Sequence, residues 1–177
     1  MLPLADLPAL LSYPGSILHN AVRHTLCRWL GLRVTAARYF YLNGQEMGLL
    51  EHEEARNLRQ AKILVVWPFL ICSLAGMLVA WCAVLQYQLR VAGVADYVLL
   101  YLGCCFAAHA FPRKEDVMRL QELLEEEAAK YESTTEMLLL VTFLLRVGTL
   151  FHFEVISFLY ALFVSIALPW ALLGLVQ

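Results

Sequence analysis

The sequence predicts a mainly α-helical, polytopic membrane protein with a short β-hairpin inserted after the first helix. Three observations predict it. The 177 residues are 61% hydrophobic and only 16% charged, against roughly 25% charged in soluble domains. The run Ile63–Leu89 carries no charge between Lys62 and Arg90, and a bilayer core needs roughly 20 apolar residues in a helix. Val34–Leu42 has strand composition ahead of an Asn43-Gly44 turn signal, and Met47–Glu51 completes a hairpin.

The elements follow in order, as one membrane domain over 1–177 without an internal repeat. Leu2–Leu18 is apolar apart from Asp6, but Pro3, Pro8 and Pro14 interrupt it. With no basic stretch before it and no small-residue cleavage site after it, it does not read as a removable signal peptide. A motif helix covers 12–31 and can end at Gly31. The hairpin excursion covers 34–52. Membrane helices are expected over 63–89, 95–112, 137–153 and 155–176. The second of these is short unless it tilts, and the third contains Arg146. Between them, 113–136 reads as an acidic cytoplasmic helix. Glu122, Glu125, Glu126 and Glu127 make it polar, and Leu120, Leu123 and Leu124 give it an apolar stripe with which to lie against the membrane domain.

Charge sets the expected orientation. Arg23, Arg28, Arg33 and Arg38 occur without an intervening acid, so the Arg-rich segment before Ile63 is expected in the cytoplasm. One crossing then places Arg90–Asp96 outside, and the return places Arg113 and Lys114 inside. Arg146 and Glu154 could pair between two helices or reach water near the turn that joins them. The net charge of -2 suggests no nucleic-acid partner; the lipid bilayer and a membrane protein or peptide segment are the partners expected. The five cysteines, Cys27, Cys72, Cys82, Cys104 and Cys105, show no CxxC spacing and read as small packing residues.

The chemistry concentrates at His19-Asn20-Ala21-Val22-Arg23-His24. In an H-E-x-x-H helix two histidines at i and i+4 grip zinc from one face, and the glutamate works on the metal-bound water. Here Asn20 stands at the glutamate position and Arg23 at that of the second histidine. Asn20 cannot take a proton from water, and Arg23 has no free lone pair for a metal. His24 sits about 140° around the helix from His19, so the two could share an ion only across a π-bulge. No nucleophile elbow, phosphate loop or dinucleotide fingerprint is present.

Other pieces extend the pattern over roughly Tyr13 to Leu120. They are Pro14-Gly15-Ser16-Ile17-Leu18-His19, Leu30-Gly31-Leu32-Arg33-Val34, Gly48-Leu49-Leu50-Glu51-His52-Glu53, Trp67-Pro68-Phe69, and His109-Ala110-Phe111-Pro112 with Asp116. In this order they resemble small membrane metalloproteases related to the site-two (intramembrane zinc) proteases. The resemblance implies that His19 and Asp116 stand at metal-ligand positions, Arg23 at the second-ligand position and Asn20 at the general-base position. His24 is then a possible substitute ligand, and His52 and His109 are candidate binding residues, although a lone histidine more often serves as a hydrogen-bonded structural residue. The implied function is that of a pseudoprotease without a cofactor, binding a membrane segment or partner protein. The site would then be a relic in which Arg23 pairs with Asp116. Two alternatives stay open. One is an active zinc-dependent intramembrane protease using His19, His24 and Asp116, with Glu46 or Glu53 as base. The other is a non-enzymatic helical subunit of a membrane complex.

Overall fold

The computed structural model describes residues 11–43, 46–128 and 153–174. Helix α1 (Tyr13–Trp29) leads into an antiparallel pair, β1 (Val34–Asn43) and β2 (Glu46–His52). Helices α2 (Leu58–Gln88), α3 (Val94–Ala108) and α4 (Lys114–Ala128) follow. The last described segment is α5 (Phe153–Leu162), a π-helical turn (Phe163–Ala167) and α6 (Leu168–Gly174). The described residues are therefore mainly helical with one small sheet. All but the last residue of the expected helix 137–153, Arg146 included, lies outside the described residues, as does the end of the acidic helix beyond 128.

Local chemistry explains where the elements stop. Gly31, at φ 69°, closes α1. The Leu32 N–H donates to Cys27 O at 2.9 Å and the Gly31 N–H to Arg28 O at 3.2 Å, the paired bonds that satisfy a helix C-terminus. Asn57 caps α2 by accepting the Gln60 N–H at 2.9 Å, so the helix begins at Leu58 and not at the hydropathy edge near Ile63. Asp96 caps α3 by accepting the Gly93 N–H at 2.7 Å. The third helix ends at Ala108, short of 112, because Pro112 disfavours helical backbone in the residue before it.

Among the described residues, two helices are long and apolar enough to cross a membrane, Leu58–Gln88 and Val155–Gly174. Only 33% and 28% of their most apolar windows are buried, whereas a core helix of a soluble protein would be mostly covered. The outward faces carry Trp67, Leu70, Leu74 and Leu78 on α2, and Phe158, Leu159 and Phe163 on the final segment. The π turn lies just before Pro169. Proline has no N–H and clashes with the carbonyl four residues back; the wider turn adjoins that site, with the Leu168 N–H reaching Phe163 O.

Small residues let the helices approach closely. A Cβ on Gly76 would lie 2.7 Å from Gly103 O, and one on Gly103 would lie 2.7 Å from the Ala80 Cβ. This seam joins α2 to α3, as small residues do between membrane helices. Gly15 does the same for α1, where a Cβ would meet Cys105 O of α3 at 2.0 Å. A separate apolar core gathers Cys27 and Leu32 from the end of α1, Ala61, Leu64 and Val65 from the start of α2, and Leu120, Leu123 and Leu124 from α4. The leucine stripe on the acidic helix is thus its buried face, and its glutamates point outward.

Candidate polar site between the first helix, the hairpin and the fourth helix

Helix α1 buries one polar face: Ser16, His19, Asn20 and Arg23. Their spacing of three and four residues places them on one side of a helix turning every 3.6 residues. That side faces α3, the hairpin and α4, and each contributes a partner.

Arg23 is the centre. The residue is 2% exposed. Nη2 donates to Asp116 Oδ2 of α4 at 2.5 Å, well inside the range of about 6 Å over which opposite charges act strongly. The same nitrogen lies 2.9 Å from His52 Nε2 at the end of β2. The other ring nitrogen of His52, Nδ1, is 2.7 Å from the backbone carbonyl of Glu53. A carbonyl can only accept, so Nδ1 carries the proton and Nε2 offers its lone pair to Arg23. His52 Nε2 is also 3.7 Å from Asp116 Oδ1. One cation thus gathers a carboxylate and an imidazole lone pair, which burial requires.

Asn20 has a cationic partner too. Arg113, just before α4, donates from Nη2 to Asn20 Oδ1 at 2.9 Å and from Nη1 to Leu50 O of β2 at 3.2 Å. The Asn20 amide oxygen is therefore an acceptor for a fixed charge. His19 lies deeper. Its pKa is lowered from 6.5 to about 3, first by burial and then by Arg23, Arg113 and His109; a hydrogen bond to the backbone of His109 opposes the shift. It is therefore neutral near pH 7. Its Nδ1 has no partner among the described residues, nor do Nε and Nη1 of Arg23.

The remaining candidates divide. His24 faces away from this cluster: it stacks on Tyr39 of β1 with ring centroids 6.1 Å apart, and its Nδ1 hydrogen-bonds the Tyr39 hydroxyl. His109 caps the end of α3, with Nδ1 3.2 Å from Cys105 O. Glu53 is held by Arg56 at 2.7 Å, and that hydrogen bond pulls its carboxyl below the ordinary value, which weakens it as a base. Glu46 lies in β2 opposite Asn43.

Zinc does not fit the geometry around Arg23. The guanidinium already engages the Asp116 oxygen and the His52 lone pair that a metal would need, and it brings a permanent positive charge. No group of three or more His, Cys, Asp or Glu side chains among the described residues could share an ion. Sequence reasoning alone misses two of these contacts. It treats Arg113 only as an orienting charge, although Arg113 stands directly after Pro112 and three residues before Asp116. It singles out His52 without a partner, because nothing local links His52 to Arg23. No family model, curated protein or solved structure matches this chain.

Proposed function

We propose that the protein is a polytopic integral membrane protein that acts by binding, on a site-two-protease-like layout whose metal centre is replaced by an ion pair. Arg23, with Asp116 and His52, occupies the place of a zinc centre, and no zinc is held there. The bound species is a membrane segment or partner protein, and the hairpin 34–52 is its docking edge, since extended peptides add as strands to exposed sheet edges. The Arg-rich segment lies on the cytoplasmic side. The observation that carries the reading is the 2.5 Å contact between Arg23 and Asp116. The exposed apolar faces of the two long helices support the membrane setting.

Metal content tests the central point. Protein purified from membranes is expected to carry no stoichiometric zinc at pH 7. Arg23→His replaces the guanidinium by an imidazole beside His52 and Asp116, and is expected to gain zinc. Stoichiometric zinc in the unmodified protein, lost on His19→Ala, would overturn the reading in favour of an active centre. Photo-crosslinkers at Ala37 on the hairpin and at Glu126 on the outer face of α4 test the docking edge. Adducts with another membrane protein are expected from the first position and not from the second.

A further inference from the structure

A cleft of about 610 Å³ opens at the far end of α2 from Arg23, lined by Tyr87, Gln88, Arg90, Tyr97 and Trp170. This volume lies within the range of roughly 300–1,000 Å³ found for small-molecule sites. The cleft sits where α2 ends, where α3 begins and beside the final helix, at one end of both membrane-length segments. If those segments span a bilayer, which rests on the reading above, the cleft lies at headgroup level.

Three features of the cleft point to one ligand chemistry. Arg90 is exposed and has no ion pair or side-chain hydrogen bond among the described residues. The nearest carboxylate in sequence, Asp96, is committed to the Gly93 N–H at 2.7 Å. Arg90 also holds φ at 59°, a left-handed conformation that disfavours any side chain. The equivalent turn after α1 uses glycine. Secondly, Gln88 Oε1 is buried without a donor among the described residues, and a buried acceptor calls for an N–H or O–H partner. Thirdly, Tyr87 and Trp170 pair with centroids 5.9 Å apart, and with Tyr97 they supply aromatic faces that attract a cation.

We infer that this cleft is a binding site for a zwitterionic phosphoethanolamine lipid headgroup. Arg90 takes the phosphodiester as a charge-assisted donor. The ammonium lies against the aromatic faces and, with the Gln88 side chain turned out of its buried position into the cleft, donates to Oε1. A quaternary choline has no N–H for that acceptor, and a glycerol headgroup has no cation for the rings.

The test uses full-length protein in detergent, with phosphatidylethanolamine, phosphatidylcholine and phosphatidylglycerol of identical acyl chains, and inorganic phosphate as the free-anion control. The readout is the thermal midpoint during titration. Phosphatidylethanolamine is expected to bind about tenfold tighter than the other two lipids, the factor one charge-assisted hydrogen bond supplies. Arg90→Gly keeps the turn, and is expected to raise the midpoint of lipid-free protein while weakening the binding of all three lipids, whose phosphodiester is common. Gln88→Leu is expected to bring phosphatidylethanolamine down to the level of phosphatidylcholine. Equal affinity for the three lipids, undiminished lipid affinity in Arg90→Gly, or the same protection by inorganic phosphate would each overturn the inference. Release of the chain from membranes by alkaline carbonate would instead overturn the membrane reading. A chain that stays in the membrane yet shows no preference defeats only the headgroup site.

Discussion

Arg23 and Arg90 lie near opposite ends of the same 31-residue helix α2, and their settings are inverse. Arg23 is buried on a helix and engages a carboxylate and an imidazole. Arg90 is exposed, strained in its backbone and without a side-chain partner among the described residues. A buried guanidinium with its counterion closes a structure, because either partner alone would be an uncompensated charge. An exposed guanidinium in a turn that favours glycine stabilises nothing in the bare fold, so its value lies in what it can bind. The residue type is the same, and the surroundings decide its role.

The largest expected effect breaks the closed end. Arg23→Ala leaves Asp116 buried and unpaired, and should destabilise the protein by about 3–5 kcal/mol. Arg23→Met combined with Asp116→Leu removes both charges and should recover most of that loss. Thermal unfolding in detergent measures both variants. If Arg23→Ala proves as mild as Arg90→Ala, the two arginines do not differ as described. The same cluster bears on what a base at position 20 could do. A glutamate there would sit against Arg113, and a paired cation keeps a carboxylate ionised but a poor proton acceptor.

Acid should weaken the same end next most. The imidazole of His19 titrates at about 3 in the folded protein against 6.5 without burial. Between those values the unfolded chain binds a proton that the folded chain refuses, so stability rises with pH across this window and falls as pH drops below 6.5. At pH 5 the contribution is a loss of about 2 kcal/mol. The midpoint should therefore fall less between pH 7 and pH 5 in His19→Gln than in the unmodified protein. An identical fall in both would remove His19 from the account.

Much of this closed end is legible in the sequence, for reasons that differ by residue. The helix, its stop at Gly31 and the hairpin follow from local rules of capping and turn chemistry. Asp116 opposite Arg23 follows from the ordered motifs. The leucine stripe of α4 follows from helical period, and it is buried where that period places it. The Asn20–Arg113 and Arg23–His52 contacts span 93 and 29 residues with no pattern between them, so they emerge only when α4 and the hairpin fold back on α1. Hydropathy places the start of α2 a few residues late, because it reports lipid-compatible residues. The first turns after the Asn57 cap, with Arg59 and Lys62, are helical without being apolar. The cleft at Arg90 leaves no trace in the sequence, since it joins the ends of three helices.

A smaller effect probes the rim of the cluster. Asn20→Ala removes the acceptor for one Arg113 N–H and should cost about 1.5 kcal/mol, as for hydrogen bonds to charged groups. Asn20→Asp keeps the acceptor and adds the opposite charge, so it should be neutral or stabilising by the same measurement. A loss in both variants would mean that packing, and not the contact with Arg113, fixes this residue.

The smallest effect separates the two ends most cleanly, because it exchanges their turn residues. Both turns close with the same bonds: Val91 N–H reaches Gln86 O at 3.1 Å after α2, as Leu32 N–H reaches Cys27 O after α1. A Cβ on Gly31 would have nothing within 4 Å, so Gly31→Ala meets no clash and should cost about 1 kcal/mol through backbone alone. Arg90→Gly should return about the same amount, by relieving the same strain. Equal and opposite shifts in the lipid-free midpoint would establish that Arg90 is kept against the preference of its own turn. A loss of stability in Arg90→Gly would instead make the arginine a structural part of the turn and erase the contrast with Arg23.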